Sequence, residues 1–300
     1  MLKNISHMFN YCSSLEKIDI KNFNTENVED TSGLFSNCRK LNKIDISNFN
    51  LEKNKDMSKM FYYCSSLSEI VFGNIITNNV MNMSHLFDEC NYLTNVDLAS
   101  FNTENVLDMS CMFQDCYKLT DLDVSNFRTN KVQNMSRMFE GCQLLTSLNL
   151  NNFNTNQVKD MNKMFEYCES LTSLSLINFD TSKVINMSDI FAECRKLEVL
   201  DVSSFDTKNV KDISGMFYYC NKIKELKISD FDTSNVEDFS HCFNGCNSLT
   251  SLDLSKFNTK NAVNMSRMFS DCNSLRELNL NSFDTSKVTD MSYMFIHANY

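Results

Sequence analysis

The sequence contains no proline, no tryptophan and only five glycines in 300 residues. An average chain of this length carries about fifteen prolines and about twenty glycines. Turns therefore fall to Asn, Asp and Ser, whose side chains bond the local backbone and tolerate left-handed conformations. A basic excess is missing too: 28 Lys+Arg stand against 38 Asp+Glu, a net charge of −10. Phosphate backbones demand a cationic footprint, so no nucleic acid is expected as partner. The same charge disfavours anionic membrane surfaces. No apolar run approaches the roughly 20 residues that span a bilayer, so no membrane insertion is expected. The segment 1–7 lacks the apolar core of a secretory signal. Hydrophobic residues are plentiful at 42%, with 11% aromatic, which supports a packed core over a disordered chain.

Cysteine reveals the organisation. Cys12, Cys38, Cys64, Cys90, Cys116, Cys142, Cys168, Cys194, Cys220, Cys246 and Cys272 are each 26 residues apart. A fixed period of this length is the mark of a stacked repeat. Phe stands three residues before each of these cysteines, and again at Phe295. Leu stands three after, from Leu15 to Leu275, with Ile223 the one change. Asn or Asp fills one position in all twelve copies, as in Asn4, Asp30, Asp108 and Asp290.

Two periods share each unit. Val106, Met109, Met112, Phe113, Cys116 and Leu119 are spaced 3, 3, 1, 3 and 3, which predicts an apolar helical face. Asp108 and its equivalents would cap that helix of about eight residues, running from Met109 to Cys116. Leu122 and Val124 flank Asp123 with period 2, as do Ile18 and Ile20 about Asp19, predicting a short strand. A strand that recurs every 26 residues pairs with its own copy, giving a parallel ladder along the whole chain. Strands about 4.8 Å apart beside helices about 8–10 Å apart predict a curve with the sheet inside, a horseshoe or bent rod.

These residues carry a family resemblance. Leu119, Leu122, Val124 and Phe127 are similar to a leucine-rich repeat. The string at 231–236, Phe-Asp-Thr-Ser-Asn-Val, and the Met-Ser-Arg-Met-Phe block at 265–269 resemble the BspA-like leucine-rich-repeat surface proteins, with their mycoplasma lipoprotein relatives. The resemblance covers all 300 residues. It implies an α/β repeat: a right-handed leucine-rich-repeat solenoid with a parallel sheet on the concave face and short helices on the convex face. It also implies display at the cell surface or outside the cell, and adhesion to proteins, host or matrix proteins among them. The expected domain is a single solenoid over 1–300, about eleven repeats. Because the chain starts and stops inside repeats without signal, lipobox or anchor, a fragment lacking its native caps is expected.

Each candidate site has a plainer counterpart. No Cys-x-x-Cys pair exists, and thiols one rung apart fall outside disulfide reach, so the cysteine column reads as small buried core. Cys242 reads as core and Cys111 as an outward, accessible thiol. His7, His85 and His241 share one phase, three and six rungs apart, which is roughly 14 Å or more, too far for one metal ion. Arg137, Lys163 and Asp189 fill that slot elsewhere, marking it as exposed. No nucleophile–base pair or phosphate loop emerges, so no catalysis, no metal and no cofactor are expected.

The concave face remains. Asp19, Asp45, Asp97, Asp123, Asp201 and Asp253 form one column, broken at Val71, Ser175 and Lys227. It reads either as a calcium or basic-partner site or as a solvated face whose Asp residues bond locally. Two positions earlier, the residue changes from rung to rung: Lys17, Lys43, Glu69, Asn95, Asp121 and onward to Val199 and Glu277. Val199 with Ile177, and Val71 with Ile76, add apolar footholds. A constant scaffold with a variable face is how solenoids present binding surfaces. The expected function is non-enzymatic protein binding or adhesion through that face. The alternative is an intracellular structural scaffold.

Overall fold

In the computed structural model, which describes residues 1–298, the chain forms two compact units, Met1–Phe153 and Asn154–Tyr300. Each unit is a stack of 26-residue rungs. In the first, parallel bridges run from Asn4 through Asp30, Asp56, Asn82 and Asp108 to Asn134. In the second, they run from Asp160 through Asn186, Asp212, Asp238 and Asn264 to Asp290. The continuous ladder thus follows the Asn/Asp column.

The expected strand column pairs regularly in two places. In the first unit β1 (Lys43–Asp45) lies parallel to β2 (Glu69–Val71), with Ile44 opposite Ile70. In the second, β3 (Ser173–Ser175) lies parallel to β4 (Val199–Asp201), with Leu174 opposite Leu200. All four alternate exposed, buried, exposed, as the period-2 pattern predicts.

The expected short helices are absent: the described residues contain no α-helix. Met109, Cys111, Phe113 and Asp115 instead donate their N–H groups to the next rung, to the carbonyls of Asn134, Ser136, Met138 and Glu140, at 2.7–3.1 Å. Between them, Met112, Gln114 and Cys116 donate back to Met109, Cys111 and Phe113 at 3.2–3.3 Å. Cys111 (φ 56°) and Asp115 (φ 54°) are left-handed, so the segment is a chain of three-residue turns. The second unit repeats this, with Met187, Asp189, Phe191 and Glu193 donating to Asp212, Ser214, Met216 and Tyr218. The physical reason lies in the unpaired ends. An eight-residue helix leaves four N–H and four C=O groups without partners, whereas the turn ladder pairs them between rungs. The broader helical side, on which the expected curve depended, is therefore missing as well. Phe rings of successive rungs lie 5.4–6.0 Å apart from Phe9 to Phe139, and 5.6–5.8 Å apart from Phe165 to Phe295.

Asn and Asp make the turns in place of Gly and Pro. Asp97, Asn102 and Asp108 each accept the N–H two residues on, from Ala99, Glu104 and Ser110, at 2.8–3.0 Å. Thr adds a buried staple. Thr103 Oγ1 donates to the Arg128 carbonyl at 3.0 Å and accepts the Arg128 N–H at 2.7 Å. In the second unit Thr233 holds Asn258 the same way.

The cysteine column is core, and also more than filler. The thiols of Cys38, Cys64, Cys90 and Cys116 donate to the Phe carbonyl of the preceding rung at 3.1–3.3 Å. Cys194, Cys220, Cys246 and Cys272 do so in the second unit. Burial pushes these thiols well up, so they stay protonated donors. Cys12, in the first rung, is exposed.

Candidate functional site: a variable strand face and a buried cluster

The strand face of the first unit holds two grooves with different chemistry. One, of about 560 Å³, is floored by Ile18, Ile20 and Ile44 and walled by Lys17, Asp19, Lys21, Lys43, Asp45 and Glu69. Its charges alternate, and Lys43 pairs with Glu69 across β1 and β2. Both side chains are more than half exposed, so this pair contributes little stability. The other groove, of about 410 Å³, is lined by Asp97, Asp121 and Asp123 with Asn95, Ser125 and Asn126, and by no cation. In the second unit a groove of about 450 Å³ gathers Asp253, Glu277 and Asn279.

The six predicted aspartates are all exposed. Their Oδ1 atoms accept N–H groups two residues on, from Lys21, Ser47, Ala99, Ser125, Ser203 and Ser255, at 2.9–3.1 Å. For Asp45, Asp123, Asp201 and Asp253, the bonds from that serine hold the carboxyl below its ordinary range, keeping it ionised. Local turn bonding is thus what tolerates a column of like charges. Asp19 and Asp45 meet in the mixed groove, and Asp97 and Asp123 in the acidic one. Asp201 and Val199 share β4. Val199 is 66% and Ile177 70% exposed, the most exposed large apolar residues among the described residues of the second unit.

The turn side carries two corrections. Cys111 is 5% exposed, not an accessible thiol. The outward position belonged to the predicted helix; in the turn ladder, flanking rungs cover it. The histidine slot is likewise only partly open: His85 is 30% exposed in its side chain. His85 Nδ1 lies 2.6 Å from Asp88 Oδ2, and ligand atoms of His85, Asp88 and Cys111 lie within 4.8 Å of one another. Counting along the chain misses this cluster, because its members are joined by a step of 26. The signal was phase: His85 and Cys111 occupy the same slot in adjacent rungs, with Asp88 three residues from His85.

Fold and site together define a stacked-rung repeat protein with a repeating apolar interior and a changing polar face. The chain belongs to the family described as "Mycoplasma protein of unknown function, DUF285", which matches residues 1–73, 69–173, 144–226 and 220–300. No curated protein matches it. Among solved structures it is similar to a leucine rich cell surface protein of Faecalibacterium prausnitzii, at 16% identity over 85% of this chain and 71% of that one, with TM-score 0.38. A leucine-rich repeat protein of Eubacterium ventriosum matches at 13% identity, over 91% and 81%, with TM-score 0.46. Another, from Bacteroides ovatus, matches at 18%, over 87% and 77%, with TM-score 0.38. Superposition is low in each case, and the repeat stack is established instead by the rung-to-rung bonds of this chain. No helix of the described residues is long and apolar enough to cross a membrane.

Proposed function

We propose that this chain is a non-enzymatic, surface-displayed repeat module that binds proteins through its strand face. The observation that carries this reading is the contrast between interior and face. From Phe35, Cys38 and Leu41 to Phe269, Cys272 and Leu275 these three columns are buried and constant but for Ile223. The residue two before the aspartate column changes from Lys17 and Lys43 to Asp121 within the first unit. A face that changes charge over a fixed core suits recognition. The acidic groove at Asp97, Asp121 and Asp123 fits a Lys/Arg-rich partner segment, and the exposed Val199 and Ile177 fit an apolar one. The resemblance to BspA-like proteins supports display and a host or matrix partner.

A pool of Lys/Arg-rich peptides tests the groove. Binding at low salt is expected, with loss of at least about tenfold in affinity in the Asp97→Lys/Asp123→Lys variant at an unchanged melting temperature. Equal binding by the variant contradicts the placement. Protease shaving of intact cells tests display: release of repeat peptides supports it, and complete protection favours an intracellular scaffold.

A further inference from the structure

We propose that His85, Asp88 and Cys111 bind one divalent transition-metal ion of the zinc or cobalt type, with a fourth coordination position left to water. Nitrogen, oxygen and sulfur donors are the set that zinc takes, and three protein ligands plus water make an open site. All three ligand atoms already lie within 4.8 Å of one another. Zinc–ligand lengths of about 2.0–2.3 Å place tetrahedral ligand atoms roughly 3.4 Å apart. The His85–Asp88 contact of 2.6 Å then opens by less than about 1 Å, within reach of side-chain rotation. Access is from the groove beside His85, which Lys59, Asn82, Ser84, Asp108 and Ser110 also line.

Burial sets the cost of binding, because a carboxylate and a thiolate must form inside it. The Asp88 side chain is 5% exposed, and desolvation raises its carboxyl despite the His85 bond. Burial also pushes the Cys111 thiol up to about 12. A bound dication offsets both costs. The Cys111 S–H bond breaks, the metal–sulfur bond forms, and the proton goes to solvent, while His85 binds as neutral imidazole through one ring nitrogen. The charges facing the cluster are Glu89, Asp108 and Glu140 against Lys59 and Arg137, so it does not sit in a cationic field.

The repeat itself supplies a comparison. His241 occupies the slot of His85 six rungs later, and Tyr218 packs edge-on to it as Tyr62 does to His85. There Asn244 replaces the carboxylate, 3.1 Å from His241 Nδ1, and Arg267 replaces the thiol. Arg267 thus sets a fixed positive charge beside His241 where the first cluster has a thiol. In other rungs the same two positions hold plain ion pairs, Arg137–Glu140 and Lys163–Glu166. The backbone therefore does not impose the ligand set; the side chains at one junction do.

Cobalt titration of the full chain, reduced and metal-free, tests this. One equivalent should bind with a thiolate-to-cobalt charge-transfer band that zinc abolishes by displacement. Cys111→Ser should remove the band, and Asp88→Asn, which copies the His241–Asn244 pair, should weaken binding by at least about tenfold. Cys12→Ser, which removes the exposed thiol, should change neither. Absence of a thiolate band overturns the proposal, as does a band that survives Cys111→Ser or vanishes in Cys12→Ser. Far-UV circular dichroism of each variant establishes that it is folded, and the Asp88→Asn arm stands if Cys111→Ser is not.

Discussion

The two sides of a rung are built differently. From Asp108 to Cys116, alternate N–H groups cross to the next rung, and the side chains of Met109, Met112, Phe113 and Cys116 are fully buried. From Asp121 to Ser125 the chain makes no backbone bond to a neighbouring rung, and Asp121, Asp123 and Ser125 are exposed. The turn side bonds from rung to rung along each unit. Among the described residues the strand side pairs regularly only in β1–β2 and β3–β4, and there the residues vary. Division of this kind lets one 26-residue scaffold carry a mixed-charge groove and an acidic groove in the same unit.

Substitutions should respect that division. The largest effect is expected from Phe113→Ala, which removes a fully buried ring stacked on Phe87 and Phe139. Denaturant melts should lose about 3–5 kcal/mol. Gly141→Ala is next. Gly141 has φ 71°, and an added Cβ would lie 2.3 Å from Asp115 Oδ1 and 3.1 Å from Asp115 Cα. A loss of about 1–3 kcal/mol is expected, whereas a helix at this place would gain about 1 kcal/mol from the same change. The sign alone separates turn ladder from helix.

Asp108→Ala should cost about 1 kcal/mol by removing the acceptor of the Ser110 N–H in the continuous ladder. Asp123→Ala, the same turn on the exposed side, should lower the melting midpoint less; equal losses would erase the distinction between the sides. The smallest effect is a pH dependence. Desolvation and then Glu89, one rung away, raise the Asp115 carboxyl to about 6. A carboxyl raised on folding stabilises the fold below its unfolded value of about 3.9, and that contribution is lost as pH rises through 6. Asp115→Asn should therefore raise the melting temperature at pH 7 and flatten its change between pH 4 and 6.

Much of this was legible in the residues. The 26-residue period placed Phe113, Cys116 and Leu119 in the core; the Asn/Asp column was read as a helix cap and is a turn instead. The absence of Pro and scarcity of Gly correctly assigned turns to Asn and Asp. The helix was misread because a 3, 3, 1, 3, 3 spacing suits successive three-residue turns as well as an α-helix. The glycines held the missing signal. Gly33 and Gly215 share the slot of Cys111, and Gly141 and Gly245 share that of Asp115, all with positive φ. Glycine at two fixed slots marks left-handed backbone, which no helix interior contains. The misplacement of Cys111 followed from the same misreading. The bond from Cys116 to the Phe87 carbonyl and the His85–Asp88–Cys111 cluster were hidden for another reason, since both join residues of adjacent rungs.

Native-state amide hydrogen exchange tests the division most directly. The N–H groups of Met109, Cys111, Phe113 and Asp115 should exchange at the slowest rates in the first unit, at least about a hundredfold slower than those of Leu122, Asp123 and Val124. Equal protection on the two sides, or slower exchange at 122–124, would contradict a stack held by its turns with a strand face free to vary.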